Sequence, residues 1–429
     1  MSKSPPKNKF MRSAKLLSAA GKFAVGEVSR RYKSEYSSRV NDAVIARAVK
    51  LVQSLDHLKG FPLKLGQLLS LDTTGILPDE IRQVFIKLQS NATPVDHELM
   101  KSVFEKELAQ QAHQLQVDWN SIASASLGQV YLAKDQNQEK LVLKIQYPGI
   151  ESSLEGDMFI IKKLTPMLTA LSGKQIDLDG VFSELKEMFE KEVDYRNEAR
   201  MIEKFSNLIR EEDTWRSPRL RREFCSDHII AMEYLEGISI QTWIHENPSK
   251  VQKLEIAKTC IDLFCCELFE WNLVQTDPNF ANFLICPDGK LGLLDFGATQ
   301  EFDHQFVEKY RALLIALRNS SPREVLRLSE EFDLIDPRES ELAQQSYLKM
   351  VEISVRPFVQ KGEFYFRDDE YLELTKKSSW DFIKHAKYSP PPRHLLFLHR
   401  KLGGLYNLLH QMDIKLDLDT FWQRWIDKN

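Results

Sequence analysis

Gln275-Thr276-Asp277-Pro278-Asn279-Phe280-Ala281-Asn282, followed by Leu293-Leu294-Asp295-Phe296-Gly297, is the stretch on which the reading of this chain turns. An Asp, an Asn five positions later and an Asp-Phe-Gly thirteen beyond that is a spacing suited to phosphoryl transfer from a magnesium-bound triphosphate. In that arrangement Asp277 orients or deprotonates the acceptor hydroxyl. Asn282 and Asp295 supply the oxygen ligands that a hard divalent cation requires. Asp-Phe-Gly alone is also an ordinary turn after a strand. The joint spacing, with an apolar stretch before each loop, favours the catalytic reading over chance.

Such a centre needs a cation on the third strand of an upper lobe and an acid on the following helix to hold it. Lys144 follows Leu141-Val142-Leu143, in the manner of the protein-kinase Val-Ala-Ile-Lys strand. A lysine facing inward among apolar residues is costly unless paired. The acid lies in Glu192-Val193-Asp194-Tyr195-Arg196-Asn197-Glu198, and either Glu192 or Glu198 meets the requirement. A solvated helix face explains any one of these acids alone, but not the set beside a lysine that needs a partner.

Other positions depart from protein kinases. Where the nucleotide-covering loop carries Gly-x-Gly-x-x-Gly, this chain has Ala123-Ser124-Ala125-Ser126-Leu127-Gly128. Alanine resists positive φ, so a stiffer loop that holds nucleotide differently is expected. Thr276 stands where protein kinases have the Arg that reads an activation-loop phosphate, and no Ala-Pro-Glu follows Asp295. Control by such a phosphate and a standard peptide-docking platform are therefore not expected. Met232-Glu233-Tyr234-Leu235-Glu236-Gly237 reads either as a hinge, with the backbone at Glu233 and Tyr234 binding adenine, or as a plain strand end.

The 429 residues suffice for a two-lobed enzyme, and a net charge of −4 gives no overall attraction to nucleic acid. Between Met1 and Lys33 the basic side chains are opposed only by Glu27. Leu16, Ala20, Phe23 and Ala24 recur at helical spacing in this basic arm. The arm therefore suits an anionic lipid or membrane surface, or equally a helix packed on the rest of the protein. The five cysteines show no metal-ligand spacing and read as core residues of a reducing compartment. No apolar run is long enough to cross a bilayer, since His399, Arg400 and Lys401 interrupt Leu395–Leu409. A bacterial cytoplasm, with peripheral contact at the inner membrane, is the expected location. The matrix side of the mitochondrion is the alternative, because the basic, serine-containing start also suits a transit peptide.

The expected organisation is a disordered tail at 1–13, a helical extension at 14–115, an upper lobe with a helical insert at 116–236 and a helical lower lobe at 237–429. Strands are expected at Gln129–Ala133 and Leu141–Gln146, with another at His228–Tyr234. Helices are expected after Pro94 to Leu108, at 153–171, at Leu178–Arg210 and at Val251–Trp271. Leu284–Cys286 and Leu291–Leu294 form a hairpin about Pro287-Asp288-Gly289. Everything after Phe302 has a helical pattern. The class is α+β: a bilobal protein-kinase-like fold with a mostly helical C-lobe.

Together these residues resemble the UbiB family of atypical kinases, which is linked to coenzyme Q biosynthesis. The resemblance rests on Lys64-Leu65-Gly66-Gln67 (KxGQ), the alanine-rich loop with Gln129-Val130, and Lys144 followed by Gln146-Tyr147-Pro148-Gly149. It rests further on Glu192 and Asp194 (ExD) with Glu198, and on Asp277, Asn282 and Asp295. Gln275-Thr276-Asp277-Pro278-Asn279 is similar to the branch that includes the mitochondrial coenzyme Q kinases. Membership implies that the KxGQ helix, with Gly66 in its motif, covers the active site, with Lys64 and Gln67 toward Asp194 and the other ExD acid. Peptides would be occluded while ATP and Mg2+ still bind. It also implies ATPase or small-molecule kinase activity, stimulated by lipid, with quinone-biosynthesis proteins as partners. Two other readings stand beside it: a nucleotide-sensing scaffold on a membrane, and a phosphotransferase for a soluble molecule such as an aminoglycoside or choline. The last has no need of a KxGQ helix.

Overall fold

The computed structural model describes residues 96–124, 127–150, 186, 189–277, 279–389 and 393–427. The basic arm, the KxGQ region with Lys64, Gly66 and Gln67, the loop residues Ala125 and Ser126, and the expected helix at 153–171 lie outside the described residues. In chain order come α1 (His97–Leu108), β1 (Gln116–Ser124), β2 (Gly128–Lys134), β3 (Lys140–Gln146), α2 (Tyr195–Leu208), β4 (Trp215–Arg216) and β5 (Ile229–Glu233). Next are β6 (Ile238–Ser239), α3 (Ile240–His245), α4 (Lys250–Phe269), β7 (Leu273–Gln275), β8 (Phe283–Ile285), β9 (Leu291–Leu293) and β10 (Thr299–Glu301). Then come α5 (His304–Arg318), α6 (Pro322–Glu331), α7 (Glu341–Val359), β11 (Glu363–Tyr365), α8 (Asp369–His385), α9 (Arg393–Met412) and β12 (Lys415–Asp417), followed by short helical turns at Asp419–Phe421 and Trp422–Ile426. The class is α+β, in two compact units. One runs to Arg200 and includes Arg219–Tyr234; the other comprises Met201–Pro218 and everything from Leu235 on.

The first unit is built on an antiparallel sheet of order β1-β2-β3-β5. With a neighbour on each side, β3 is buried at every position after Lys140. Its side chains alternate between faces. Leu141, Leu143 and Ile145 join a core with Met100, Phe104 and Leu108 of α1, which leaves Val142, Lys144 and Gln146 on the opposite face. Each large apolar side chain enclosed in this way contributes roughly 1.5–3 kcal/mol. The Asp96 carboxylate opens α1 by accepting the Glu98 N–H at 3.1 Å.

Two expectations change in this unit. The sequence pattern does not reveal β1, because Gln-Val-Asp-Trp-Asn-Ser-Ile-Ala-Ser is polar and nowhere fully buried. Its pairing is also irregular: Asp118 faces Leu132 but Ala123 faces Val130, so five steps along β1 span two along β2. Ala123 and Ser124 are therefore strand residues opposite Val130 and Gln129, not part of an open loop. The helix expected through Leu178–Arg210 is broken at Asp194. There the Asp194 carboxylate accepts the Asn197 N–H at 2.9 Å, the bond an N-cap makes, and α2 starts afresh.

In the second unit α4 starts with a capping box between Ser249 and Gln252. On one face it buries Ile256, Ala257, Cys260, Leu263, Phe264, Glu267 and Leu268, and Ile261, Cys265 and Cys266 extend the burial around its axis, as suits a helix at the centre of a core. A four-stranded sheet of order β4-β9-β8-β6 and the two-stranded β7–β10 ladder carry the loops of interest. The region after Phe302 is not wholly helical: β11 and β12 pair antiparallel, Phe364 opposite Leu416. Strands of three residues are too short to display an alternating pattern. Cys260, Cys265, Cys266 and Cys286 are buried and Cys225 is partly so, and burial pushes the Cys260 thiol up to about 12. Thiols held protonated in this way behave as small apolar residues. Among the described residues no helix is long and apolar enough to cross a membrane.

Candidate active site

In the second unit the hairpin register assembles the metal-ligand candidates. Phe283 of β8 faces Leu293 of β9, and the Leu294 N–H donates to the Asn282 carbonyl at 3.0 Å just beyond that rung. Asn282 and Asp295 thus emerge at the same hairpin end. The other end is closed by Gly289, at φ +81°, whose N–H donates to the Cys286 carbonyl at 2.9 Å. That positive φ is why the turn carries a glycine.

Asp277 follows the buried strand β7. Its Oδ1 accepts the Asn279 N–H at 3.1 Å and its Oδ2 accepts Nδ2 of Asn282 at 3.0 Å. The carboxylate is partly exposed and fixed in orientation, with lone-pair directions remaining on both oxygens. Asn282 commits its NH2 to Asp277, so its amide oxygen is the end available to a cation. Two bonds help to hold Asp295. The Gly297 N–H donates to its Oδ1 at 3.0 Å, and the Gln275 side-chain amide donates to its backbone carbonyl. Phe296 is fully buried, its ring centroid 4.9 Å from that of Phe205.

Thr276 takes on a structural task. Its N–H and its hydroxyl both donate to the Ala298 carbonyl, at 3.1 and 2.5 Å, tying the Asp277 loop to the residues after Asp295 through the β7–β10 ladder.

The first unit holds the cation. Lys144 donates to both oxygens of Glu198, at 2.7 and 2.8 Å, and both side chains are almost wholly enclosed. The lysine that the strand pattern turns inward is therefore paired, and Glu198 rather than Glu192 is its partner. The Tyr195 ring lies beneath the ammonium, 5.3 Å from centroid to Nζ. Gln146 donates its amide to the Val193 carbonyl at 2.8 Å, tying β3 to the segment before α2. A Cβ on Gly128 would lie 2.4 Å from the Ile145 carbonyl oxygen and 2.8 Å from the Tyr195 hydroxyl. The one glycine of the alanine-rich segment thus permits close packing of β2, β3 and Tyr195.

Of the hinge candidates, the Glu233 N–H donates to the Arg219 carbonyl at 2.9 Å and the Tyr234 N–H to the Lys140 carbonyl at 3.2 Å. The segment is a strand end with both amide donors engaged. Asp194 caps α2, as described above. Sequence reasoning gave no site role to three buried groups near the Asp277 and Asp295 loops: Gln275, Glu267 and Lys401. Gln275 stands in the quoted motif and Lys401 interrupts the apolar run at Leu395–Leu409, but neither pattern names a partner.

The donor set suits magnesium. An amide oxygen and a carboxylate at one hairpin end are hard ligands, and the ion characteristically completes its shell with phosphate oxygens and water. Among the described residues no group of three His, Cys, Asp or Glu side chains could hold a metal unaided.

Comparison with known proteins gives a consistent picture. The family model for the ABC1 atypical kinase-like domain matches residues 87–329. The Atypical kinase COQ8, mitochondrial, of Saccharomyces cerevisiae is 29% identical over 407 residues, covering 92% of this chain and 79% of that protein. The protein of the same name from Schizosaccharomyces pombe is 27% identical over 408 residues, covering 92% of this chain and 66% of that protein. The Atypical kinase COQ8B, mitochondrial, of Rattus norvegicus is 28% identical over 403 residues, covering 89% and 73%. The solved structure titled as the complex of Rv3197 with erythromycin from Mycobacterium tuberculosis superposes with a TM-score of 0.62 at 23% identity, covering 91% of this chain and 98% of that one. At that identity the likeness concerns the fold, which is kinase-like.

Proposed function

The chain belongs to the ABC1 family of atypical kinases, the UbiB group, and from that premise we propose that it is an Mg-ATP-dependent kinase or ATPase that supports coenzyme Q biosynthesis. One observation carries the reading: the hairpin end where Asp277, bonded to Asn282, stands with Asp295. A fold of this size could keep the motif letters and lose the geometry. Here every ligand-bearing side chain is oriented by a bond within its own loop.

In the proposed mechanism Lys144, held by Glu198, binds the α- and β-phosphates of ATP. Asn282 and Asp295 would hold magnesium, which would offset charge on the phosphates. Asp277 accepts the proton of the attacking hydroxyl or water. As that oxygen bonds to the γ-phosphorus, the bond from the γ-phosphorus to the β–γ bridging oxygen breaks and ADP departs. The acceptor is a lipid or other small molecule rather than a peptide. The basic arm, outside the described residues, would draw the enzyme to anionic membranes and to quinone-biosynthesis proteins there.

The test is ATP hydrolysis with and without magnesium and anionic vesicles, comparing the native protein with Asp295→Asn. Magnesium-dependent turnover that the substitution abolishes while thermal unfolding is unchanged supports the reading; unaltered turnover overturns it. Profiling quinone intermediates in a deletion strain tests the pathway.

A second reading, a nucleotide-sensing scaffold, draws on the alanine-rich segment. Its glycine is occupied by packing, and Ala123 and Ser124 are strand residues. Nucleotide binding without turnover under every condition would favour it.

A further inference from the structure

Lys401 lies on α9 directly after His399 and Arg400 and is 3% exposed, while Glu267 on α4 is fully buried. Their charged atoms are 3.8 Å apart. Neither Glu267 oxygen has a hydrogen-bond partner among the described residues. A buried pair this loose is poor at stabilising a fold, and apolar replacements of similar volume often serve as well or better. Its placement suggests another role.

The Lys401 ammonium stands 3.5 Å from Oε1 of the buried Gln275, and Nε2 of the same amide donates to the backbone carbonyl of Asp295. An amide has two unlike ends. With a cation at Oε1, its NH2 must turn to Asp295. The flipped amide would set NH2 against an ammonium and carbonyl against carbonyl. The same ammonium lies 5.0 Å from the centre of the Phe283 ring, the residue directly after Asn282. One cation thus braces the supports of both metal-ligand candidates.

We infer that Lys401, set beside Glu267, is a positioning residue that fixes the Gln275 amide and through it the metal-binding placement of Asp295. This rests on the Mg-ATP reading above and adds a residue from the C-terminal helix to that site.

The experiment compares the native protein, the neutral double variant Lys401→Met/Glu267→Gln, and Gln275→Leu, which breaks the bridge and leaves the ion pair in place. Three quantities are measured: the magnesium concentration for half-maximal ATP hydrolysis, the affinity for a fluorescent ATP analogue in EDTA, and the urea midpoint. Both variants should need about tenfold more magnesium, with metal-free nucleotide affinity unchanged and the double variant's urea midpoint not lowered. Adding Gln275→Leu to the double variant should cause no further loss, because both act through one amide. A magnesium requirement unchanged in either folded variant overturns the inference, as does a loss that only tracks a falling urea midpoint. Turnover by the native protein separates the outcomes: its absence overturns the functional reading as well, whereas its presence with unaltered variants overturns this inference alone.

Discussion

Lys144 and Glu198, 54 residues apart in the chain, meet through both carboxylate oxygens at 2.7 and 2.8 Å. Removing one member of a buried ion pair costs about 3–5 kcal/mol, whereas replacing both with apolar residues costs far less. Lys144→Met should therefore lower the free energy of unfolding by about 3 kcal/mol or more. Lys144→Met/Glu198→Leu should recover most of that loss without restoring ATP turnover. Urea denaturation beside an ATPase assay reads both effects. A double variant that regains turnover would show that the pair serves stability alone.

Asn282 is half-exposed and, among the described residues, its side chain bonds within its own loop, to Asp277. Asn282→Ala should cost about 1 kcal/mol or less in stability, the net worth of a typical hydrogen bond. Turnover at fixed magnesium should fall about 100-fold, as for loss of one electrostatic stabiliser of a transition state. Raising magnesium should restore part of the rate. Insensitivity to magnesium would remove Asn282 from the metal site.

Gly128 cannot accept a methyl group without movement of backbone, since Ile145 supplies the nearest atom at 2.4 Å. Gly128→Ala should destabilise the protein by about 1–3 kcal/mol, the usual cost of overpacking. It should also weaken nucleotide binding by disturbing the β2–β3 pairing that carries Lys144. Gly289→Ala provides a contrast: nothing lies within 4 Å of the added methyl, and any penalty comes from the positive φ.

Glu267 gives a pH signature. Burial pushes its carboxyl up to about 7, although the Lys401 charge pulls it down. With the folded-state value above that of the unfolded chain, its contribution to stability is complete below about pH 4.5 and is lost as pH rises through about 7. Between pH 5 and 8 the native protein should lose on the order of 1–3 kcal/mol from this group. Glu267→Gln should flatten that part of the profile. Parallel urea-midpoint profiles for the two proteins would contradict the assignment.

The loops bearing Asp277, Asn282 and Asp295 were legible because ligand chemistry dictates residue type and the hairpin turn dictates its own glycine. Lys144 was legible as an inward position on an alternating strand. Its partner was not, because a helix assumed continuous through Asp194 misplaces Glu192 and Glu198 relative to each other. The N-cap bond of Asp194 interrupts that helix and starts α2 with Glu198 in its first turn. β1 stayed hidden because its alternation is brief, with Val117 and Trp119 on the core side, and its register turns irregular after Asp118. The partners of Lys401 are set by packing between α9, α4 and β7, residues more than 120 positions apart. No local pattern encodes that distance.

The irregular pairing of β1 bears on how the protein behaves at high concentration. Among the described residues the sheet of the first unit ends at β1 on one side and β5 on the other. Along β5 the outer backbone is already occupied: Arg221 N–H donates to Ala231 and Glu233 N–H to Arg219, each at 2.9 Å. On the β1 side the surplus residues between Asp118 and Ala123 disrupt the flat ladder that a second molecule would need as a template. Both features disfavour strand-by-strand addition at the described margins. Trimming that bulge to a regular register would create a sticky border and shorten the protein's shelf life in solution.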